Sequence, residues 1–247
     1  MKHMITSMGG EVPAIFSDML SQPHLLIAGA SGSGKSVLLN GLLCAIARYH
    51  PAQKQMILID PKRVELNEFS KLPHTITHAT DTESIISALN SASDIVERRY
   101  KEMQKRGERT YTGADIYVVI EEFADLMTTA KKRTLPVVQR ICQIGRAAKV
   151  HVILVTQCPL AKIIPTEIKV NFTAICGLHT ATRQQSRNII DMPGLELLPR
   201  YGQCIYQTPC GVHRYVIPYT GDEERRKITS FYFNQYSFLQ RLRINIR

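Results

Sequence analysis

The sequence predicts an α/β fold, a mostly parallel β-sheet covered by helices on both faces. Three observations carry that expectation. Short apolar runs alternate with stretches of helical periodicity along most of the chain, the pattern of strand–helix–strand units. Gly29-Ala30-Ser31-Gly32-Ser33-Gly34-Lys35-Ser36 satisfies the full G-x-x-x-x-G-K-[ST] phosphate-loop pattern, between a strand-like run and a helix-like one. Two later apolar runs end in acids, Asp60 and Glu121-Glu122, at strand ends where open parallel sheets gather their ligands. Together these make the expected architecture a P-loop NTPase with a RecA-like sheet.

Composition sets the outer limits. A chain of 247 residues suits one large α/β domain, or one and a half small ones, and 44% hydrophobic residues suffice for a core. No apolar run approaches the ~20 residues that a membrane helix needs, and Met1-Lys2-His3-Met4-Ile5-Thr6 lacks the apolar centre of a signal peptide. The expectation is a cytoplasmic protein with no membrane segment of its own. The 6 cysteines (Cys44, Cys142, Cys158, Cys176, Cys204 and Cys210) form no C-x-x-C pair, which argues against a zinc or disulfide framework. A net charge of +10 points to a polyanionic partner such as nucleic acid, with generic solubility charge as the alternative.

Three segments are expected: a lead-in over 1–22, a P-loop ATPase domain over 23–218 and a basic C-terminal helix over 219–247. In the lead-in, Gly9-Gly10 reads as a turn. Val12-Pro13-Ala14-Ile15-Phe16 reads as a short extended piece, held to a sheet edge by Pro13. Leu25-Leu26-Ile27-Ala28 is the first buried strand. After the phosphate loop, Val37-Leu38-Leu39 and Leu42-Leu43 mark one face of a helix from Gly34 to about Arg48, stopped before Pro51. Gln55 to Asp60 is the second strand. Asp81-Thr82-Glu83-Ser84 places acids at a helix N-terminus, and Ile85, Ile86, Leu89, Ala92, Ile95 and Val96 continue that helix at 3.6-residue spacing. Its later turns carry Arg98, Arg99, Lys101, Lys105, Arg106 and Arg109 among Glu97, Glu102 and Glu108. That mixture reads as a solvated face laced with i,i+4 ion pairs before it reads as a DNA-binding stripe. Asp115 to Ile120 is the third strand, Thr134 to Arg146 a helix, and Val150 to Val155 the fourth strand, closed by Thr156-Gln157. Lys162 to Lys169 reads as a loop and short helix, Phe172 to Cys176 as a fifth strand, and Thr182 to Ile190 as a helix. Gly202 to Tyr206 and Val212 to Ile217 form a hairpin turned at Pro209-Cys210-Gly211, and Asp222 opens a last helix rich in basic and aromatic residues.

The motifs imply a chemistry. The loop glycines let consecutive N–H groups point at phosphate oxygens, and the helix start adds partial positive charge. The nucleotide contacts are then Gly29, Ala30, Ser31, Gly32, Ser33, Gly34, Lys35, Ser36 and Val37. Lys35 reaches the β- and γ-phosphates and the Ser36 hydroxyl is a Mg²⁺ ligand, so the expected cofactors are ATP and Mg²⁺. Glu121 and Glu122 close an apolar strand in the manner of a Walker B element. Glu121 holds the metal, directly or through water, and Glu122 polarises the attacking water. The first acid of such an element is usually Asp. The extra methylene of Glu121 displaces its carboxylate by roughly 1.5 Å, which either weakens the metal site or is absorbed by another rotamer. Gln157 either meets the γ-phosphate and its water or simply caps its strand.

These blocks, in this order, resemble the motor domain of the FtsK/SpoIIIE DNA translocases. The resemblance rests on Pro23-His24-Leu25-Leu26-Ile27-Ala28-Gly29, Ile59-Asp60-Pro61-Lys62-Arg63-Val64-Glu65-Leu66, Glu97-Arg98-Arg99-Tyr100 and Glu122-Phe123-Ala124-Asp125-Leu126-Met127. Gly145-Arg146-Ala147-Ala148 with His151, Ile168-Lys169-Val170-Asn171 and Ser186-Arg187-Asn188-Ile189-Ile190-Asp191 extend it, so that it spans roughly residues 9–217. That family forms hexameric rings that thread duplex DNA and hydrolyse ATP between subunits. The resemblance therefore implies double-stranded DNA and a homo-hexamer as partners, with a membrane or mobile-element protein as a further one. It implies Arg146 as an arginine finger reaching the neighbouring subunit, with an intramolecular ion pair as the alternative. It implies Lys162 and Lys169 as phosphate contacts on pore-facing loops.

The departures from the family pattern bear on the expectation. Cys158 stands where the family usually has Arg after Thr-Gln. The membrane helices, most of the following linker domain and the terminal winged helix of the chromosomal translocases have no counterpart here. The chain thus looks like a conjugative coupling protein, a phage-borne translocase or an excised motor. Two rivals remain: a protein-secretion ATPase of the EccC type, and a nucleotide-binding scaffold with weak or no turnover, motivated by Glu121 and Cys158. The C-terminal Arg225, Arg226, Lys227, Arg241, Arg243 and Arg247 dock a partner, contact DNA or are solvated.

Overall fold

The computed structural model describes residues 11–157 and 163–244. Its centre is an eight-stranded sheet. In chain order the strands are β1 His24–Ala28, β2 Lys54–Ile59, β3 Thr75–Ala79, β4 Asp115–Ile120, β5 Val150–Thr156, β6 Ala174–Gly177, β7 Gln203–Thr208 and β8 Gly211–Val216. They lie in the order β3-β2-β4-β5-β1-β6-β7-β8. The first six pair in parallel, and the hairpin β7–β8 adds antiparallel to β6. The expected mostly parallel sheet is therefore the observed one.

The helices are α1 Ala14–Ser21, α2 Lys35–Ala47, α3 Thr82–Arg106, α4 Phe123–Thr129, α5 Lys131–Ile144, α6 Thr166–Lys169, α7 Arg183–Ile190 and α8 Asp222–Ile244. Because strand side chains alternate, each central strand feeds two cores. Leu26, Ile57, Val118 and Val152 face one side, where Leu89 and Val96 of α3 and Val138 and Ile141 of α5 cover them. Leu25, Met56, Tyr117 and Ile153 face the other, under α1, α2 and α8. Such strands, buried on both faces, read as continuous apolar runs.

Several elements differ from the sequence reading. Val12 to Phe16 is not an extended edge piece. Pro13 precedes α1, and its carbonyl accepts from the Phe16 and Ser17 N–H groups at 2.9 and 3.1 Å. Phe16, Met19 and Leu20 then fall on one buried helical face. Gly41 of α2 makes that packing close: a Cβ there would lie 2.5 Å from Phe16 Cζ. Strand β3 was not anticipated, and α5 begins at Lys131, before the expected Thr134. Helix α3 behaves as expected at its start, where Asp81 caps Ser84 N–H at 3.0 Å. Its basic turns are not uniformly solvated. Arg99 is buried, and its guanidinium donates to the Ala148 and Lys149 carbonyls at 2.7 and 3.1 Å. The terminal helix α8 is part of the same body, with Ile228 and Tyr232 buried against the sheet and Glu224 paired with Arg48. Among the described residues no helix is long and apolar enough to cross a membrane.

Candidate active site

The carboxyl ends of the parallel strands meet along one edge. The phosphate loop follows β1, Asp60 follows β2, Glu121 and Glu122 follow β4, and Thr156 ends β5. Strand β5 lies between β1 and β4, with Ala28 opposite Thr156 and Ile120 opposite Leu154. The chain therefore sets the expected phosphate-binding and carboxylate groups one strand apart.

The phosphate loop carries its own geometry. Gly32 and Gly34 hold φ of 68° and 97°, a region that costs a side chain free energy and that glycine enters readily. A Cβ on Gly29 would meet Ser33 Oγ at 2.8 Å and Leu178 Cβ at 2.9 Å, so only glycine fits beneath the loop. Lys35, 6% exposed, opens α2. Its ammonium donates to the Gly29 and Ala30 carbonyls at 3.0 and 2.7 Å. Burial draws its pKa down to about 8, against the opposing pull of the Glu122 and Glu121 charges. Among the described residues, the buried Ser33 Oγ has no hydrogen-bond partner.

The two acids differ in environment. Glu121 is buried, and its Oε2 has no partner among the described residues. Burial, and then the Glu122 charge, push its pKa up to about 7. Glu122 is equally buried but fully engaged. Its Oε1 accepts from Thr156 Oγ1 and from the Gln157 backbone N–H, both at 3.2 Å. Its Oε2 accepts from Lys62 Nζ at 3.1 Å. The Glu122 backbone sits in the left-handed region, at φ 48° and ψ 68°. A non-glycine residue held there costs on the order of 1 kcal/mol and commonly marks a site where position matters more than stability. Burial works most strongly against the Lys62 charge, but the bond to Glu122 and the nearby Glu122, Glu121 and Asp125 charges together outweigh it and raise the ammonium above its ordinary pKa. Asp60 shapes the loop that presents Lys62: its carboxylate accepts from the Arg63 and Leu66 N–H groups at 2.9 and 3.1 Å.

The unpartnered buried acceptor on Glu121 and the Ser36 hydroxyl at the helix start are oxygen donors of the kind Mg²⁺ takes, and they are the residues that would hold it. That ion characteristically takes one or two side-chain oxygens and completes its shell with phosphate and water. No group of three or more His, Cys, Asp or Glu side chains converges among the described residues.

The remaining sequence candidates are placed differently. Gln157 meets Glu122 through its backbone N–H. Arg146 lies exposed in the turn before β5, at the amino edge of the sheet. The seven residues of β5 separate it from its own phosphate loop by roughly 20 Å. It forms no ion pair among the described residues, so the alternative of an intramolecular pair gains no support. Lys169 ends α6 near that same amino edge, and its ammonium binds Asp191 Oδ1 at 2.7 Å and the Asn188 carbonyl at 3.1 Å. Lys162 and Cys158 lie outside the described residues. Sequence reasoning missed Thr156 and Lys62 as partners of Glu122. The Asp60-Pro61-Lys62-Arg63 block was visible as a signature, but nothing in it announces a contact across β2 and β4.

Comparison with known proteins adds an independent line. The FtsK/SpoIIIE family profile matches residues 5–117 and 112–161, more than half of the chain. The DNA translocase SpoIIIE of Bacillus subtilis is 32% identical over 246 residues, covering 90% of this chain and 31% of that protein. A DNA translocase FtsK of Helicobacter pylori (strain J99) is 34% identical over 232 residues, covering 87% and 28%. The chain thus spans about a third of the length of these relatives. Among solved structures, the pCW3 conjugation coupling protein TcpA, in its monomer form with ATPγS, superposes with a TM-score of 0.73 at 22% identity. That match covers 86% of this chain and 66% of that one. The cytoplasmic domain of the type VII secretion ATPase EccC of Thermomonospora curvata gives 0.72 at 22% identity, covering 85% and 28%. At such identity the structural matches show a shared fold.

Proposed function

The chain belongs to the FtsK/SpoIIIE family, and from that premise we propose that it is a Mg²⁺-dependent ATPase motor that moves double-stranded DNA, with ATP hydrolysed at the subunit interfaces of a homo-hexameric ring. The observation that carries this reading is Glu122: a buried carboxylate, fixed by three donors in a strained backbone position, one strand from a complete phosphate loop. A scaffold that only bound nucleotide would have no use for a carboxylate so constrained.

In this reading the loop N–H groups and Lys35 bind and orient the phosphate chain. Ser36 and Glu121 would hold Mg²⁺, which would supply neutralising charge to the phosphate chain. Glu122 orients the attacking water and accepts its proton, while Lys62, Thr156 and the Gln157 N–H keep its carboxylate in place. Arg146, too distant for its own subunit's nucleotide, supplies transition-state charge to a neighbour's. Basic surface residues grip the DNA backbone without reading bases.

Lys35→Ala and Glu122→Gln test the assignment together. Lys35→Ala should lose nucleotide binding and turnover. Glu122→Gln should keep binding and lose turnover by 10²-fold or more, within the range for a lost general base. Full turnover in either variant refutes it. A protein-moving motor of the secretion type is the second reading. What favours it is Lys169, whose pairing with Asp191 leaves less free charge for a DNA phosphate.

A further inference from the structure

A second chain segment lies against the phosphate loop, and no motif announces it. Between the 3-10 turn at Leu195–Leu197 and β7, the stretch Leu198-Pro199-Arg200-Tyr201-Gly202 passes over the loop. His179 ties the two together. Its backbone carbonyl accepts the Ala30 N–H at 2.8 Å, and its ring Nδ1 bonds the Leu198 carbonyl oxygen at 2.8 Å. A carbonyl only accepts, so Nδ1 carries the proton. Gly202 N lies 3.9 Å from where a Cβ on Gly34 would sit, and Arg200 Nη2 lies 3.8 Å from the same point on Gly32.

Arg200 is exposed and forms no ion pair among the described residues; its guanidinium carbon lies 5.9 Å from the ring centre of its neighbour Tyr201. The other cations of the site are already held, Lys35 by the carbonyls of Gly29 and Ala30 and Lys62 by Glu122. A guanidinium presents a fork of donors matched to phosphate oxygens, and it keeps its charge at any physiological pH. The wall on which it stands is tied to the phosphate loop through His179, whose carbonyl holds Ala30 and whose ring holds Leu198, so the wall is kept beside the loop.

We propose that Arg200 is a binding residue for the phosphate chain of a nucleoside di- or triphosphate, supplied by the same subunit that supplies the phosphate loop. The role is distinct from that of Arg146, which stands at the opposite edge of the sheet. The inference rests on the nucleotide site proposed above.

The test is a binding titration rather than an activity. Mg²⁺-ADP and adenosine are titrated by calorimetry into the wild-type chain, Arg200→Ala, Arg200→Lys and Lys35→Ala. Arg200→Ala should weaken Mg²⁺-ADP by about tenfold or more, as expected for loss of a charge-assisted hydrogen bond. Adenosine, which has no phosphate, should bind as before, and Arg200→Lys should recover part of the loss. Unchanged Mg²⁺-ADP affinity in Arg200→Ala, with Lys35→Ala impaired, overturns the role of Arg200 and leaves the nucleotide site standing. Equal losses for adenosine and Mg²⁺-ADP also overturn it, since they assign Arg200 to the shape of the wall. A wild-type chain that binds neither overturns the nucleotide site and this inference with it.

Discussion

Glu121 should make the nucleotide-free protein less stable as pH rises through neutrality. Its carboxyl is buried with one oxygen unpartnered, and burial followed by the Glu122 charge lifts its pKa from 4.5 to about 7. A folded-state pKa above the unfolded one means the native state binds the extra proton. Its stabilising effect is complete below pH 4.5 and is lost as pH rises through about 7. At 1.36 kcal/mol per pKa unit, the ionised carboxylate costs the native state about 3 kcal/mol at pH 8 and under about 1 kcal/mol at pH 5. Glu121→Gln cannot ionise and removes that cost. Urea unfolding of both chains in EDTA should therefore show the variant gaining about 2 kcal/mol more, relative to wild type, at pH 8 than at pH 5. The comparison between two pH values cancels what the amide does to packing. An identical stability difference at both pH values would refute the reasoning, because it would mean that Glu121 titrates as it does in water.

Further outcomes follow from other contacts. Lys62→Ala leaves the buried Glu122 carboxylate with neutral donors only, so turnover should fall about tenfold or more while Mg²⁺-ADP affinity is kept; unchanged turnover would contradict a positioning role for the Lys62–Glu122 contact. Because the Lys62 side chain is 39% exposed, its stability should change by less than about 1 kcal/mol in the same variant. Gly41→Ala drives a methyl into the Phe16 ring and should cost about 1–3 kcal/mol by thermal or urea unfolding; a neutral change would contradict the close α1–α2 packing. Arg146→Ala should spare nucleotide affinity and lose turnover. Mixing it with Lys35→Ala should restore part of the rate, since mixed assemblies contain interfaces with one intact loop and one intact finger; no recovery would contradict a role in trans.

What the sequence revealed depended on how local the cause is. Strand β4 begins and ends where the apolar run does, and the Asp81 cap follows from chemistry within one turn. The phosphate loop is equally local, since its glycines and Lys35 act within one turn of chain. Pro13 misled because proline serves a sheet edge and a helix start equally well, and burial of Phe16 against Gly41 decides between them. Strand β3 was invisible because an edge strand, half-buried and carrying Thr75, Thr77 and His78, has little apolar pattern to show. Arg99 looked like its basic neighbours, and only the turn at Ala148 distinguishes it. The same limit applied at the site. Glu122 was legible as an acid at a strand end, but the partners that hold it come from β2, β5 and the loops beyond them. Arg200 was silent for the same reason, since the contact with Gly32 exists only once β6 and β7 stand beside β1.

The most direct measurement of the central claim is steady-state ATP hydrolysis with Mg²⁺, with and without long duplex DNA, at low and moderate salt. The account predicts turnover that DNA stimulates strongly, with stimulation falling as salt rises because the grip is on phosphates. Turnover indifferent to DNA at every salt concentration would contradict it.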